Sequence, residues 1–447
     1  MDIDTGNTAW VLMSSAMVLL MTPGLAFFYG GMTRSKSVLN MLMMSFSAMG
    51  VVSVLWVLFG YSWAFGTDHG GGLIGSTNGY YGLEGLTKAT VTAGLPDLAF
   101  VSFQLMFAVI TVALISGAVA ERMKFGGWVL FVVLWSAVVY FPVAHWVFYF
   151  GEAQEDGSYL RGGWIVNRLE ALDFAGGTAV HINAGAAALA LILVLGKRRG
   201  FGREPMRPHN LPLVLIGTGL LWFGWFGFNA GSALAANGLA SLAFVNTQVA
   251  TAAALLAWIG TERLRDGHAT TLGAASGAVA GLVAITPACA YVSPLGAIAI
   301  GLVAGGACCL AVTFKHRLGY DDALDVVGVH LVGGLVGTLM VGLVATEEAT
   351  GGAEGLLYGG GLGQLGKQAV AAVAVMAYSF VLSLVLAYIV KAVIGLRISE
   401  EEEVTGVDQT VHAESGYELT GIGAGGSGAG SLLGTGSPSA RRMEVSS

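Results

Sequence analysis

Of 447 residues, 55% are hydrophobic and 11% are charged, whereas a soluble domain carries charge on about a quarter of its residues. The mean hydropathy is +0.72, and the apolar residues run unbroken instead of tracing one helical face, so a soluble globular domain is excluded. The net charge of −7 sits in loops and tail, and no basic stripe marks a nucleic-acid surface.

The chain begins MDIDTGNTAW. Asp2 and Asp4 stand where a signal peptide would carry lysine or arginine, so the first apolar stretch is expected to remain as a membrane helix. A spanning helix needs about 20 mostly apolar residues. Eleven segments qualify: 8–31, 38–65, 98–120, 127–150, 174–195, 211–231, 239–261, 269–287, 294–314, 326–345 and 367–395. The Gly- and Ala-rich stretch from 269 to 314 admits other divisions. The 68 glycines suit helices that approach one another closely in lipid.

Alternate loops differ sharply in Lys and Arg. One set runs from Arg34 and Lys36 to Lys315 and Arg317, includes the cluster from Lys197 to Arg207, and holds thirteen. The other set holds three: Lys88, Arg161 and Arg168. Basic loops face the cytoplasm, which puts the N-terminus outside and the C-terminus inside. The expected fold is therefore an all-α polytopic membrane protein of about eleven helices. Eleven divides as a 5+5 inverted repeat plus one, an architecture that puts a transport pathway at the repeat interface. The fifth helix contains His181-Ile-Asn-Ala-Gly185 and the tenth contains His330-Leu-Val-Gly-Gly334. Each follows an aspartate near the helix start, Asp173 and Asp325. Residues 1–395 form the membrane domain on this reading. Residues 396–418 form a polar cytoplasmic segment with an acidic run from Glu400 to Glu403. Residues 419–447 are a Gly- and Ser-rich tail expected to be disordered.

Ionisable residues inside a membrane are costly and mark function. His181 and His330 lie deep in apolar helices, where neutral imidazoles can pass hydrogen bonds and a proton along a narrow pore. Asp173 is read as a helix N-cap that also lends negative charge to the outer mouth. Asp325 is read as the corresponding cap on the other side. Phe103 and Phe107 share one helix face, and Trp225, Phe228 and Ser232 lie together in WFGWFGFNAGS. Aromatic faces bind small cations, worth about 2 kcal/mol or more once water is removed. Cys289, Cys308 and Cys309 lie inside apolar runs and read as small buried hydrophobes, without a disulfide framework or a metal site. No nucleophile–base set suggests an enzyme, and no cofactor is expected.

The segments TPGLAFFYGGM, ISGAVAERMKF, DFAGGTAVHINAGAAAL, RPHNLPLVLIGTGLLWFGWFGFNAGSALAAN, AFVNTQVATAAA, GAVAGLVAITPACAYV and DDALDVVGVHLVGGLVGT resemble the ammonium transporter (Amt) family, bacterial type, over about residues 8–418. The resemblance implies a homotrimer in the cell membrane with one pore per subunit. It implies an outer site for ammonium or methylammonium at Phe103, Phe107, Phe148 and Ser232, with Trp225 grouped beside it. It further implies a gate of Phe107 and Phe228, then a pore lined by His181, His330 and Thr286, with Asp173 as the essential aspartate. Ammonium would lose its proton near the gate, and ammonia would cross. The C-terminal segment would dock on the cytoplasmic face, with Glu400–Glu403 facing the basic loop 196–209, and a PII signalling protein would bind there. Position 148 departs from the pattern: the family commonly has Trp in a motif like AHxVWGG, and this chain reads AHWVFYF. Trp146 or Trp164 would then complete the outer cage. The alternatives are a Rhesus-type neutral gas channel and an ammonium sensor that signals through its tail.

Overall fold

The computed structural model describes residues 2–77, 79–86, 91–92, 94–153, 159–160 and 162–417. The Gly- and Ser-rich tail 419–447, Lys88 and Arg161 lie outside the described residues.

Ten helices among the described residues are long and apolar enough to cross a membrane: α1 Thr5–Met32, α2 Ser35–Phe65, α3 Asp97–Val119, α4 Phe125–Phe148, α5 Gly177–Leu195, α6 Leu211–Gly231, α7 Gly238–Asp266, α9 Pro294–Leu318, α10 Val327–Val344 and α11 Gly363–Val393. Between α7 and α9 lies a shorter apolar helix, α8, Thr271–Ile285, at the place of the eighth expected span. It stops early because Pro287 cannot donate to a further helical bond, and Thr286–Tyr291 continue as turns.

Local chemistry sets the helix starts. The side chains of Asp4, Asn210, Asn237, Thr270 and Ser293 each accept a backbone N–H three residues on, capping α1, α6, α7, α8 and α9. Pro212 and Pro294 occupy the first turns of α6 and α9, where a missing N–H costs nothing. Within α4, Pro142 follows a wider π turn at Ser136–Tyr140, and α2 has the same feature at Trp56–Gly60. Such turns shift side chains around the axis without breaking the helix.

Helices α1 and α6, the first helix of each half, pack at backbone contact. A Cβ on Gly217 would sit 2.3 Å from the Phe28 nitrogen, and one on Gly24 would sit 2.9 Å from the Leu220 Cβ. Small residues permit this approach, which supplies packing where lipid gives no hydrophobic drive. The aromatic core lies between the halves: Phe103, Phe107, Trp225 and Phe228 are each 1% exposed.

Candidate functional site

Two helices that begin in the same unusual way deliver the histidines. At α5, the Asp173 carboxylate accepts the backbone N–H groups of Gly176 (2.8 Å), Gly177 (2.7 Å) and Thr178 (2.7 Å), and the Thr178 hydroxyl (2.5 Å). Its acceptor capacity is spent on one turn, so it caps that turn from four residues before the first helical residue, Gly177. At α10 the cap is Asp322 and not Asp325. Asp322 accepts from Val326 (3.1 Å) and Val327 (2.7 Å), the same offsets that Asp173 uses for Gly177 and Thr178. Asp325 sits at φ +63° and pairs with Lys315 at 2.5 Å. Both helices open with a π turn, Gly177–Ile182 and Val327–Leu331, that carries the histidine. The spacing from aspartate to histidine is eight residues in each half.

The two histidines meet. His181 Nδ1 and His330 Nδ1 lie 3.3 Å apart, with ring centroids separated by 5.4 Å. One hydrogen fits between two neutral rings at that distance, donated by one and accepted by the other. His181 Nε2 is buried and has no partner among the described residues. A buried polar atom left unpaired costs free energy until a polar guest reaches it.

Aromatic rings continue the file from the histidines. Trp225 stacks on His181 at 5.5 Å, and Phe228 lies 6.3 Å from the same ring. Trp225 is thus on the histidine side of Phe228, not in an outer cage beside Ser232. Its Nε1 donates to the Thr286 hydroxyl (2.9 Å), which donates in turn to the Leu282 carbonyl (2.7 Å). Thr286 therefore positions Trp225. Phe107 and Phe228 stack at 4.1 Å and 17°, the tightest plate in the file. Beyond them, Phe103 lies 4.9 Å from Phe107, and Phe148 meets Phe107 edge-on at 6.1 Å. Ser232 caps the end of α6 by donating to the Phe228 carbonyl (2.8 Å), which leaves its oxygen lone pairs for a donor.

Trp146 and Trp164 do not complete this cluster. They contact each other at 5.6 Å, Trp146 also packs on Tyr378 at 4.6 Å, and the Trp146 Nε1 donates to the Leu73 carbonyl (2.7 Å). Phe148 is the half-buried ring at the open end of the file.

At the opposite end, several of the basic residues form buried or partly buried ion pairs. Arg198 bridges Asp321 (2.9 Å) and Glu121 (3.2 Å), Glu121 also holds Arg34 (2.8 Å), and Arg122 is fully buried. Burial raises the Glu121 carboxyl, but Arg198 and Arg34 outweigh it and hold it below the usual value. Burial likewise raises Asp321, and hydrogen bonds and charge from Arg198 and Arg122 bring it below. The C-terminal segment seats on this end. Lys124 N–H donates to the Leu396 carbonyl, and Ile398 N–H donates to the Arg122 carbonyl. Ser399 and Glu402 form a reciprocal cap for a short helix, Glu400–Thr405. Of the acidic run, Glu403 makes the contact: it accepts from the Arg199 backbone N–H (2.7 Å) and pairs with Arg397 (2.8 Å). Asp408 accepts from the N–H groups of Leu39 and Asn40, and the Tyr417 hydroxyl bonds His209 at 2.7 Å. Leu396, Ile398 and Val407 are buried beneath it.

Among known proteins, residues 9–417 match the model of the Ammonium Transporter Family. An ammonium transporter of Mycobacterium tuberculosis is 61% identical over 439 residues, covering 93% of this chain and 91% of that protein. Saccharomyces cerevisiae Mep2 superposes with a TM-score of 0.81 at 34% identity, covering 90% of this chain and 89% of that one. A solved structure titled Sensor Amt Protein gives a TM-score of 0.81 at 30% identity, with 90% and 97% coverage.

Proposed function

Because this chain belongs to the ammonium transporter family, a family of multi-pass membrane proteins, we propose that its substrate follows the file of side chains from Phe148 to His330. The observation that carries this reading is the Phe107–Phe228 plate at 4.1 Å set directly against a histidine pair whose His181 Nε2 has no partner among the described residues. Phe103, Phe107, Phe148 and the Ser232 oxygen receive the cation, because ring faces and a lone-pair oxygen replace part of its water. A bare ion cannot follow into the apolar segment without a large desolvation cost. Ammonium loses its proton at the plate, and neutral ammonia passes. His181 and His330 then hydrogen-bond it and offer a path for the proton. Potassium has no proton to lose and is stopped.

The basic end faces the cytoplasm, as the thirteen Lys and Arg residues of its loops favour. The protein works as a homotrimer in the cell membrane, also carries methylammonium, and presents the docked segment 396–417 to a PII signalling protein. The likeness to the Sensor Amt Protein supports a second reading, in which the same docked segment reports occupancy. The test is uptake and current in proteoliposomes, with ammonium compared against potassium. Ammonium flux with potassium excluded is expected. Equal passage of potassium, or no ammonium uptake, overturns the reading.

A further inference from the structure

We propose that the cavity beside Phe148 is a second cation site, which binds alkylated ammonium ions such as tetramethylammonium and holds them without passing them. The cavity has a volume of about 360 Å³ and is walled by Tyr61, Tyr80, Phe100, Phe148 and Leu234, with Asp97 its one charged lining residue among those described. The rings are arranged as faces and edges: Tyr61 lies 5.6 Å from Tyr80 and stacks on Phe65 at 5.6 Å, and Phe65 meets Phe100 edge-on at 5.0 Å. Asp97 stands in the first turn of α3, half-buried. Among the described residues, no Lys, Arg or His pairs with it. A carboxylate with no counter-ion among the described residues, inside an aromatic bowl, is the chemistry that recognises a methylated ammonium. The charge is met by Asp97 and the methyl groups by ring faces.

The volume exceeds what ammonium needs, so the bowl favours the larger alkylated ions. A quaternary ammonium carries no proton to give up, and next in line is the Phe107–Phe228 plate, reached past Phe148 at 6.1 Å from Phe107. The ion is therefore retained at the entrance and obstructs it. Binding stands on the cavity alone, whereas obstruction rests on the transport reading above.

The experiment titrates purified full-length protein with tetramethylammonium chloride in a calorimeter against a sodium chloride control, and measures ammonium uptake in proteoliposomes with the same ion outside. Saturable binding is expected in the unaltered protein, with competitive inhibition of uptake. Asp97→Asn removes the charge and should weaken binding about fivefold to tenfold, as for a partly screened ion pair. Tyr80→Leu, outside the membrane helices, should weaken binding several-fold, while Tyr80→Phe keeps it. Absence of binding to the unaltered protein, or equal binding to Asp97→Asn and Tyr80→Leu, overturns the proposal. Uptake that proceeds without tetramethylammonium binding defeats the second site and leaves the transport reading standing. Binding in a protein that takes up no ammonium does the reverse.

Discussion

Asp173 shows how a single carboxylate can fix a buried histidine that it does not touch. It holds three backbone N–H groups and one hydroxyl of the turn that leads to His181. Asp173→Ala should therefore destabilise the fold by about 1–3 kcal/mol, read as a lower melting temperature, and abolish uptake. Asp173→Asn keeps one acceptor oxygen and should fall between Ala and the unaltered protein; equal melting of the two variants would contradict the capping account. His181→Ala and His330→Ala should each lose ammonium flux or its selectivity against potassium while the protein stays folded, checked by current with each cation. Phe148 is the residue at which the sequence departs from the family pattern, and the neighbouring tryptophans turn elsewhere. Phe148→Trp should lower the half-saturating ammonium concentration several-fold, a gain of about 0.5–1 kcal/mol at a half-buried site. An unchanged value would mean that ring size at 148 does not limit binding.

Among elements, the helix pattern was legible because lipid demands long apolar runs, and segment 211–231 coincides with α6 to the residue. The histidine pair was legible for the same reason, since charge-bearing groups stand out in such runs. Other features needed the three-dimensional arrangement or a closer count. Asp325 is the aspartate nearest His330 in the sequence, yet the eight-residue interval that Asp173 keeps from His181 points to Asp322. Trp225 and Ser232 lie close together in the sequence, but the helix rise of about 1.5 Å per residue carries them in opposite directions from Phe228. The Asp97 bowl had no sequence signature, because its walls come from separate segments: α2, the following loop, α3, and the ends of α4 and α6. At the α1–α6 contact, Gly217→Val should fail to assemble, since its Cβ has 2.3 Å to the Phe28 nitrogen. Thermal melting of the solubilised protein checks this, and an unchanged melting point would show that α1 can yield.

At the scale of the whole molecule, the C-terminal segment ties α2, α4 and the loop after α5 into one surface. Removing the chain after Leu396 deletes the Glu403, Asp408 and Tyr417 contacts and should impair transport or PII binding, whereas truncation after Leu419 should alter neither. Normal flux and normal binding in the shorter protein would reduce the segment to a passive linker. The Glu121 and Asp321 carboxyls, held below their usual values, contribute stability that is present above the unfolded carboxylate range, near about pH 4, and is lost as pH falls through their folded values. Melting followed from pH 7 downward should show this loss, and Glu121→Gln should flatten it. The hydrogen between His181 Nδ1 and His330 Nδ1 also joins the two halves of the chain. If His181 donates, its Nε2 is a bare acceptor and His330 Nε2 must carry a hydrogen; if His330 donates, both assignments reverse. Neither ring can change tautomer alone without setting two hydrogens, or two lone pairs, against each other. While both rings are neutral, the pair therefore behaves as a single two-position register, and the far nitrogens of the two histidines present opposite hydrogen-bonding characters.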